Sequence, residues 1–125
     1  MSRPTAGIIA IGDEILKGQI QDTNSKFLAE ELHRCGIQLQ RIVILPDDID
    51  DIAKAVREFS ALFTHVFTCG GVGPTHDDVT FEAVANAFGQ NLAVNSEIKH
   101  VLEKHFSGGD LNETVLKMAL VCSNA

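Results

Sequence analysis

The stretch that decides the fold is HVFTCGGVGPTHDDVTFEAVANAF, His65 to Phe88. HVFTC reads as a short apolar strand. Gly70, Gly71, Gly73 and Pro74 then bend the chain, Asp77 and Asp78 follow, and TFEAVANAF places Phe81, Val84, Ala85 and Phe88 at helical spacing before Gly89. A strand, a glycine loop and a helix start thus occur in immediate succession. Such a helix start exposes unpaired N–H groups and a partial positive charge, which suit an anion, while the carboxylates suit a metal accompanying that anion.

Two further strands are predicted upstream. AGIIAI, Ala6 to Ile11, is a continuous apolar run bounded by Pro4 and Gly12, as expected of a strand buried on both faces, and it delivers Gly12, Asp13 and Glu14 to its carboxyl end. IQLQRIVILP alternates and then becomes wholly apolar, as a strand does when one end is less covered; Asp47 follows Pro46. A helix capped at Thr23 or Asn24 runs to Arg34 with Phe27, Leu28, Leu32 and Cys35 on one face and Gly36 as its stop. Another carries Ile49, Ile52, Val56, Phe59 and Phe63, and the aspartates crowding its start are accounted for by capping and the helix dipole, Asp47 apart.

Downstream, a helix is expected from Ser96 to about Phe106, with Ile98, Val101, Leu102 and Phe106 as its apolar stripe; SGGD is a loop. NETVLKMALVCSNA can begin as a helix at Asn112, and its end is open between helix and strand. Alternation of strands and helices predicts an α/β fold, with a parallel sheet and helices on both faces. Ligands in that architecture bind outside the carboxyl ends of the strands, so the segments after the three strands converge on one crevice.

Composition narrows the function. A chain of 125 residues, 45% hydrophobic and 22% charged, suits a single domain spanning 1–125. A net charge of −7 with no Lys/Arg cluster argues against nucleic acid as a partner. No apolar run approaches the ~20 residues that span a bilayer, and the N-terminus lacks the apolar core of a secretion signal, so an intracellular, cytoplasmic protein is expected, with a mitochondrial location left open. Cys35, Cys69 and Cys122 have neither CxxC spacing nor an even count; they are expected to be reduced, with Cys35 and Cys69 in the core.

The glycine loop lacks the Lys-Ser/Thr ending of a Walker loop and the spacing of a dinucleotide fingerprint. Of Asp77 and Asp78, one can bind Mg²⁺ and the other cap the helix, or both can merely cap. Asn24 either bonds a ligand or caps a helix. His76 is a general acid, a phosphate contact or simply a polar loop residue. With Asp13, Glu14 and Asp47 at the other strand ends, the pattern points to a metal-bridged pyrophosphate and metal-assisted attack on phosphorus.

GDEILKG, DTN and GGVGPTHDDVT, in that order, resemble the molybdopterin-binding domain family of molybdenum cofactor biosynthesis. The paired aspartates of GPTHDD resemble the branch that includes competence-damage-inducible proteins and the N-terminal domain of eukaryotic FAD synthase; LVCSNA extends the likeness more loosely. The resemblance implies a three-layer αβα fold with a mostly parallel sheet. It also implies a crevice lined by Gly12, Asp13, Glu14, Asp47, Gly70, Gly71, Gly73, Thr75, Asp77, Asp78 and Thr80, with Asp47 and Asp78 as ligands of magnesium or another divalent metal. In the FAD synthase branch such a domain is associated with metal-dependent hydrolysis of FAD, a nucleotide pyrophosphatase activity, whereas FMN adenylylation belongs to a separate domain. Relatives form dimers or trimers. Family domains continue beyond the point matching Ala125, so the C-terminal part of the family fold is expected to be missing. A non-catalytic nucleotide- or pterin-binding regulatory module and a molybdopterin adenylyltransferase are the other functions the resemblance allows.

Overall fold

A computed structural model describes residues 3–106 and 112–123 of the chain. The predicted SGGD loop, residues 107–110, lies outside the described residues, as does the end of LVCSNA. The elements in order are β1 (Thr5–Ile11), α1 (Asp13–Leu16), α2 (Thr23–Arg34), β2 (Gln38–Leu45), α3 (Ile49–Leu62), β3 (His65–Cys69), α4 (Thr80–Ala87), β4 (Leu92–Val94), α5 (Ser96–His105), α6 (Glu113–Leu116), a 3₁₀ turn (Lys117–Ala119) and β5 (Leu120–Cys122).

β1 is the centre of a three-stranded parallel sheet of order β2-β1-β3. Its residues from Ala6 to Ile11 are all buried because both faces are covered. Ala6 and Ile8 pack with Leu28 and Leu32 of α2, and Ile9 and Ile11 pack with Ile52, Val56 and Phe59 of α3 and Ala83 of α4. The chain steps from β1 to β2 and then back across to β3. Reversing direction with a constant crossover hand puts the connecting helices on opposite faces, which gives the three-layer αβα arrangement. A separate antiparallel pair, β4 with β5, stands beside α4.

Helix α3 follows its predicted stripe in full, with Asp48 as the cap accepting from the Asp51 N–H at 2.9 Å. Other faces differ from expectation. In α2, Asp22 rather than Thr23 or Asn24 is the cap, accepting from the Ser25 N–H at 3.1 Å, and Phe27 and Cys35 are exposed while Leu28 and Leu32 enter the core. Its buried positions are Ser25 and Leu32. In α4 the buried side is Thr80, Ala83 and Ala85, which packs mainly on α3 and β5, leaving Phe88 half exposed. Of the α5 stripe, Leu102 is buried and Val101 exposed. The tail resolves its ambiguity by being both helix and strand: α6 capped by Asn112, then β5.

Gly7 faces the α3 side of β1. A Cβ there would stand 2.6 Å from Cδ2 of Phe59 and 2.7 Å from Cδ2 of Phe63, two rings locked edge to face. Overpacking of this kind costs about 1–3 kcal/mol. Gly7→Ala is therefore expected to lower the urea midpoint with an unchanged m-value; an unchanged midpoint would mean that Phe63 yields without cost.

Candidate functional site

The carboxyl ends of β1 and β2 are fastened to each other. Gly12 donates its N–H to the Leu45 carbonyl at 3.0 Å. Beyond it, the Asp13 N–H donates to Oδ2 of Asp47 at 3.2 Å and the Asp47 N–H donates to Oδ1 of Asp13 at 3.0 Å. Each aspartate thus holds the other's backbone, and each spends one oxygen on the clasp. The chain then turns through α1 and Gly18, with the N–H groups of Gln19 and Ile20 both on the Glu14 carbonyl, so that Lys17 and Gln19 reach the same opening.

The glycine loop after β3 is fixed from beneath. Gly70 and Gly71 both have positive φ, at 94° and 68°. A Cβ on Gly70 would lie 2.2 Å from the Ile11 carbonyl oxygen, and one on Gly71 would lie 2.2 Å from Oγ1 of Thr80. Thr80 is fully buried, donates its hydroxyl to the Gly70 carbonyl at 2.7 Å and its N–H to the Gly71 carbonyl at 3.0 Å. These contacts bring the loop back onto the end of β1.

Asp77 and Asp78 do not cap α4, whose cap position is Val79 with no side-chain bond. Asp78 instead closes its own turn: Oδ2 accepts from the Thr75 N–H at 3.0 Å and the Thr75 hydroxyl at 2.8 Å. Burial raises the proton affinity of Asp78, but Thr75, the Gly73 N–H and the Lys117 ammonium together outweigh it and hold the carboxyl below its usual range. Gly73 has an ordinary φ; its glycine matters because a Cβ would meet Oδ2 of Asp78 at 2.8 Å. Lys117, 42 residues away, donates Nζ to the Thr75 carbonyl and ties the C-terminal segment to this turn.

These elements enclose an acidic crevice of about 350 Å³ into which Asp13, Glu14, Asp47, Thr75, Asp77 and Asp78 converge, with Gly71 in its wall. Burial, and then the charges of Asp13, Glu14 and Asp77, push the Asp47 carboxyl above its usual range, against the lowering effect of the Asp13 N–H. Excess negative charge is the defining property of the crevice, whose five carboxylates are lined up against one ammonium, that of Lys17. Among the described residues no group of three or more His, Cys, Asp or Glu side chains surrounds a single point as metal ligands. The residues nonetheless fit magnesium, which takes one or two carboxylates and completes its shell with water and phosphate oxygens. Asp47 and Asp78 line the same crevice, and the Asp13 and Thr75 bonds fall on Oδ2 of each.

Six expected ligand residues do not line the acidic crevice. Gly12, Gly70 and Thr80 hold the frame, Asn24 lines another cavity of about 170 Å³ with Asp22, Thr23 and Cys69, Gly73 lines the cavity on the other side of the loop, and His76 stands at the rim. His76 is almost wholly exposed there, 3.5 Å from Oδ1 of Asp77. Gln19 and Lys117 carry no motif signal in the sequence, and Lys17, inside GDEILKG, is not singled out by it; the turn after α1 and the C-terminal segment bring the three to the site.

An αβα domain with a polar ligand crevice at the carboxyl edge of its parallel sheet is the class that this fold and site define. Residues 7–123 match the family described as "Probable molybdopterin binding domain", and the chain belongs to that family. It is 44% identical over 102 residues to a Caenorhabditis elegans protein named "Probable FAD synthase", which covers 82% of this chain and 20% of that protein. The chain therefore spans about a fifth of the length of that relative. The crystal structure of the protein CinA from Thermoplasma acidophilum, described as of unknown function, superposes with a TM-score of 0.90 at 34% identity, covering 95% of this chain and 71% of that one. The molybdopterin biosynthesis enzyme MoaB from Thermus thermophilus shares the fold, with a TM-score of 0.61 at 20% identity over 90% of this chain and 70% of that one. Among the described residues no helix is long and apolar enough to cross a membrane.

The crowded carboxylates give a stability prediction. Asp47 binds its proton more readily in the folded than in the unfolded chain, so its ionised form costs stability above its raised folded pKa, and that cost disappears as pH falls toward 3.8. Asp47→Asn keeps an acceptor for the Asp13 N–H and removes the charge. The variant is expected to melt higher than wild type at pH 7, with the advantage shrinking on acidification and gone below about pH 4. A variant that melts lower at pH 7 would show that the carboxylate's bonds outweigh its repulsion.

Proposed function

We propose that this domain is a metal-dependent nucleotide pyrophosphatase that hydrolyses FAD, or a similar dinucleotide, to FMN and AMP. The observation that carries this reading is the convergence of five carboxylates on one crevice beside a backbone loop built for close approach. A bare pyrophosphate would be repelled there, whereas one carrying a divalent cation is matched in both charge and ligand type. The flavin enters through the similarity to a protein named as an FAD synthase.

In the hydrolysis, water attacks one phosphorus, the bridging P–O bond breaks, and the two phosphates leave on FMN and AMP. Asp47 and Asp78 would hold the metal. Bound there, the metal would neutralise phosphate charge and acidify water. Asp77, which stands near enough to raise the proton affinity of Asp47, would orient the attacking water and take its proton. Asp13 and Glu14 complete the acidic wall, and Thr75 keeps Asp78 charged and fixed. His76 at the rim is assigned no step.

The use of Asp47 and Asp78 as acceptors of the frame's own N–H groups supports a second reading, a module that binds a nucleotide or pterin without cleaving it. Incubation with FAD and Mg²⁺, Mn²⁺ or Co²⁺ separates the two. FMN and AMP are expected in equal amounts, with EDTA abolishing turnover and Asp78→Ala or Asp77→Asn lowering kcat/KM about 100-fold or more. Metal-independent binding without products, or wild-type turnover by Asp78→Ala, would contradict the hydrolase.

A further inference from the structure

A second cavity adjoins the acidic crevice and has the opposite character. Its volume is about 230 Å³. Val72, Phe81, Leu92 and Leu120 form its walls, and Gly71 and Asp78 line both spaces, so the two adjoin across the glycine loop. The walls come from three places in the chain: the loop, the first turn of α4, and the β4–β5 pair. The lysine that donates to the Thr75 carbonyl also lines the cavity, so the bond that ties the C-terminal segment to the loop also joins two of its walls.

Val72 is 47% exposed although it is apolar and sits at this rim, between two glycines that give it no neighbours to pack on. A planar ring entering the cavity would cover it. Whole-ligand sites usually enclose about 300–1,000 Å³, so this space is sized for part of a ligand, a single ring system, rather than for a whole dinucleotide. Its polar edge supplies an acceptor, the Glu82 carboxylate, and a donor, the Lys117 ammonium. A fused nitrogen heterocycle presents the complementary pair, N–H and C=O or ring N.

We propose that this apolar cavity is a ring subsite, taking the heteroaromatic base of a nucleotide whose phosphates lie in the adjoining acidic crevice between Asp47 and Asp78. The assignment deepens the pyrophosphatase reading by naming which part of the substrate each space receives, and for the phosphate half it rests on that reading. The ring half stands alone. It requires neither metal nor phosphate, and it makes Val72, Phe81 and the β4–β5 pair the determinants of which base is accepted.

The test uses nucleosides, which have the ring and no phosphate. With EDTA present, adenosine is titrated by calorimetry and riboflavin by quenching of its fluorescence, on wild type and on Val72→Asp, whose folding is checked by thermal melting. Saturable binding of at least one nucleoside is expected, at about 1 mM or tighter, weakened about tenfold or more by Val72→Asp. Phe81→Ala, which removes a wall instead of adding a charge, is expected to weaken the same nucleoside. Binding of neither nucleoside, or binding indifferent to both substitutions, would overturn the subsite even if FAD is hydrolysed. Nucleoside binding without FAD turnover would overturn the hydrolase and leave the subsite standing.

Discussion

The reciprocal pair of hydrogen bonds between Asp13 and Asp47 is the constraint on which the site depends. Two strands that run side by side need not keep their ends together once the ladder stops. Here each aspartate takes the other's backbone N–H, so the register set by Ile11 opposite Leu45 is carried two residues past the sheet. Thr80 does the same for the third strand by holding the carbonyls of Gly70 and Gly71 against the end of β1. The crevice is therefore built by backbone bonds made by side chains, and the acidic groups that would act on a ligand are partly the groups that hold the frame.

That economy has an electrostatic consequence. Burial of Asp47, and then the repulsion of the carboxylates gathered at the same sheet edge, raise its proton affinity. Asp78 escapes by accepting three donors and facing Lys117. Two aspartates that look alike in sequence thus sit in opposite environments, one short of positive charge and one well supplied. A cation arriving with a ligand would relieve the first without disturbing the second. The same loop divides this charged space from an apolar one, so a ligand that fills both must be charged at one end and flat and apolar at the other.

Much of this was legible in the sequence. The continuous apolar run of AGIIAI marked a strand buried on both faces, and the succession from His65 to Phe88 marked the strand, loop and helix start that give the fold its class. The coming together of Asp13, Asp47 and Asp78 followed from strand-end topology rather than from any local pattern. What was not legible has physical reasons. A four-residue α1 and a three-residue β4 are too short for periodicity to show. The inward faces of α2 and α4 are set by what they pack on, the sheet for α2 and mainly α3 and β5 for α4, which leaves Phe27 and Phe88 outward. Lys117 reaches the loop only because β5 folds back on β4, a pairing with no signature in either strand.

Three strand ends make one crevice, for which a cation and a phosphate are the proposed occupants. The most direct test is paramagnetic broadening of backbone amide NMR signals by Mn²⁺ added with ADP-ribose, which carries a pyrophosphate. Broadening is expected to centre on Asp13, Asp47, Gly71 and Asp77 and to be lost in Asp47→Ala. The chain offers a competing acidic cluster at the start of α3, where Asp48, Asp50 and Asp51 stand together. Broadening centred there, with the amides of Gly71 and Asp77 unaffected, would contradict this assignment.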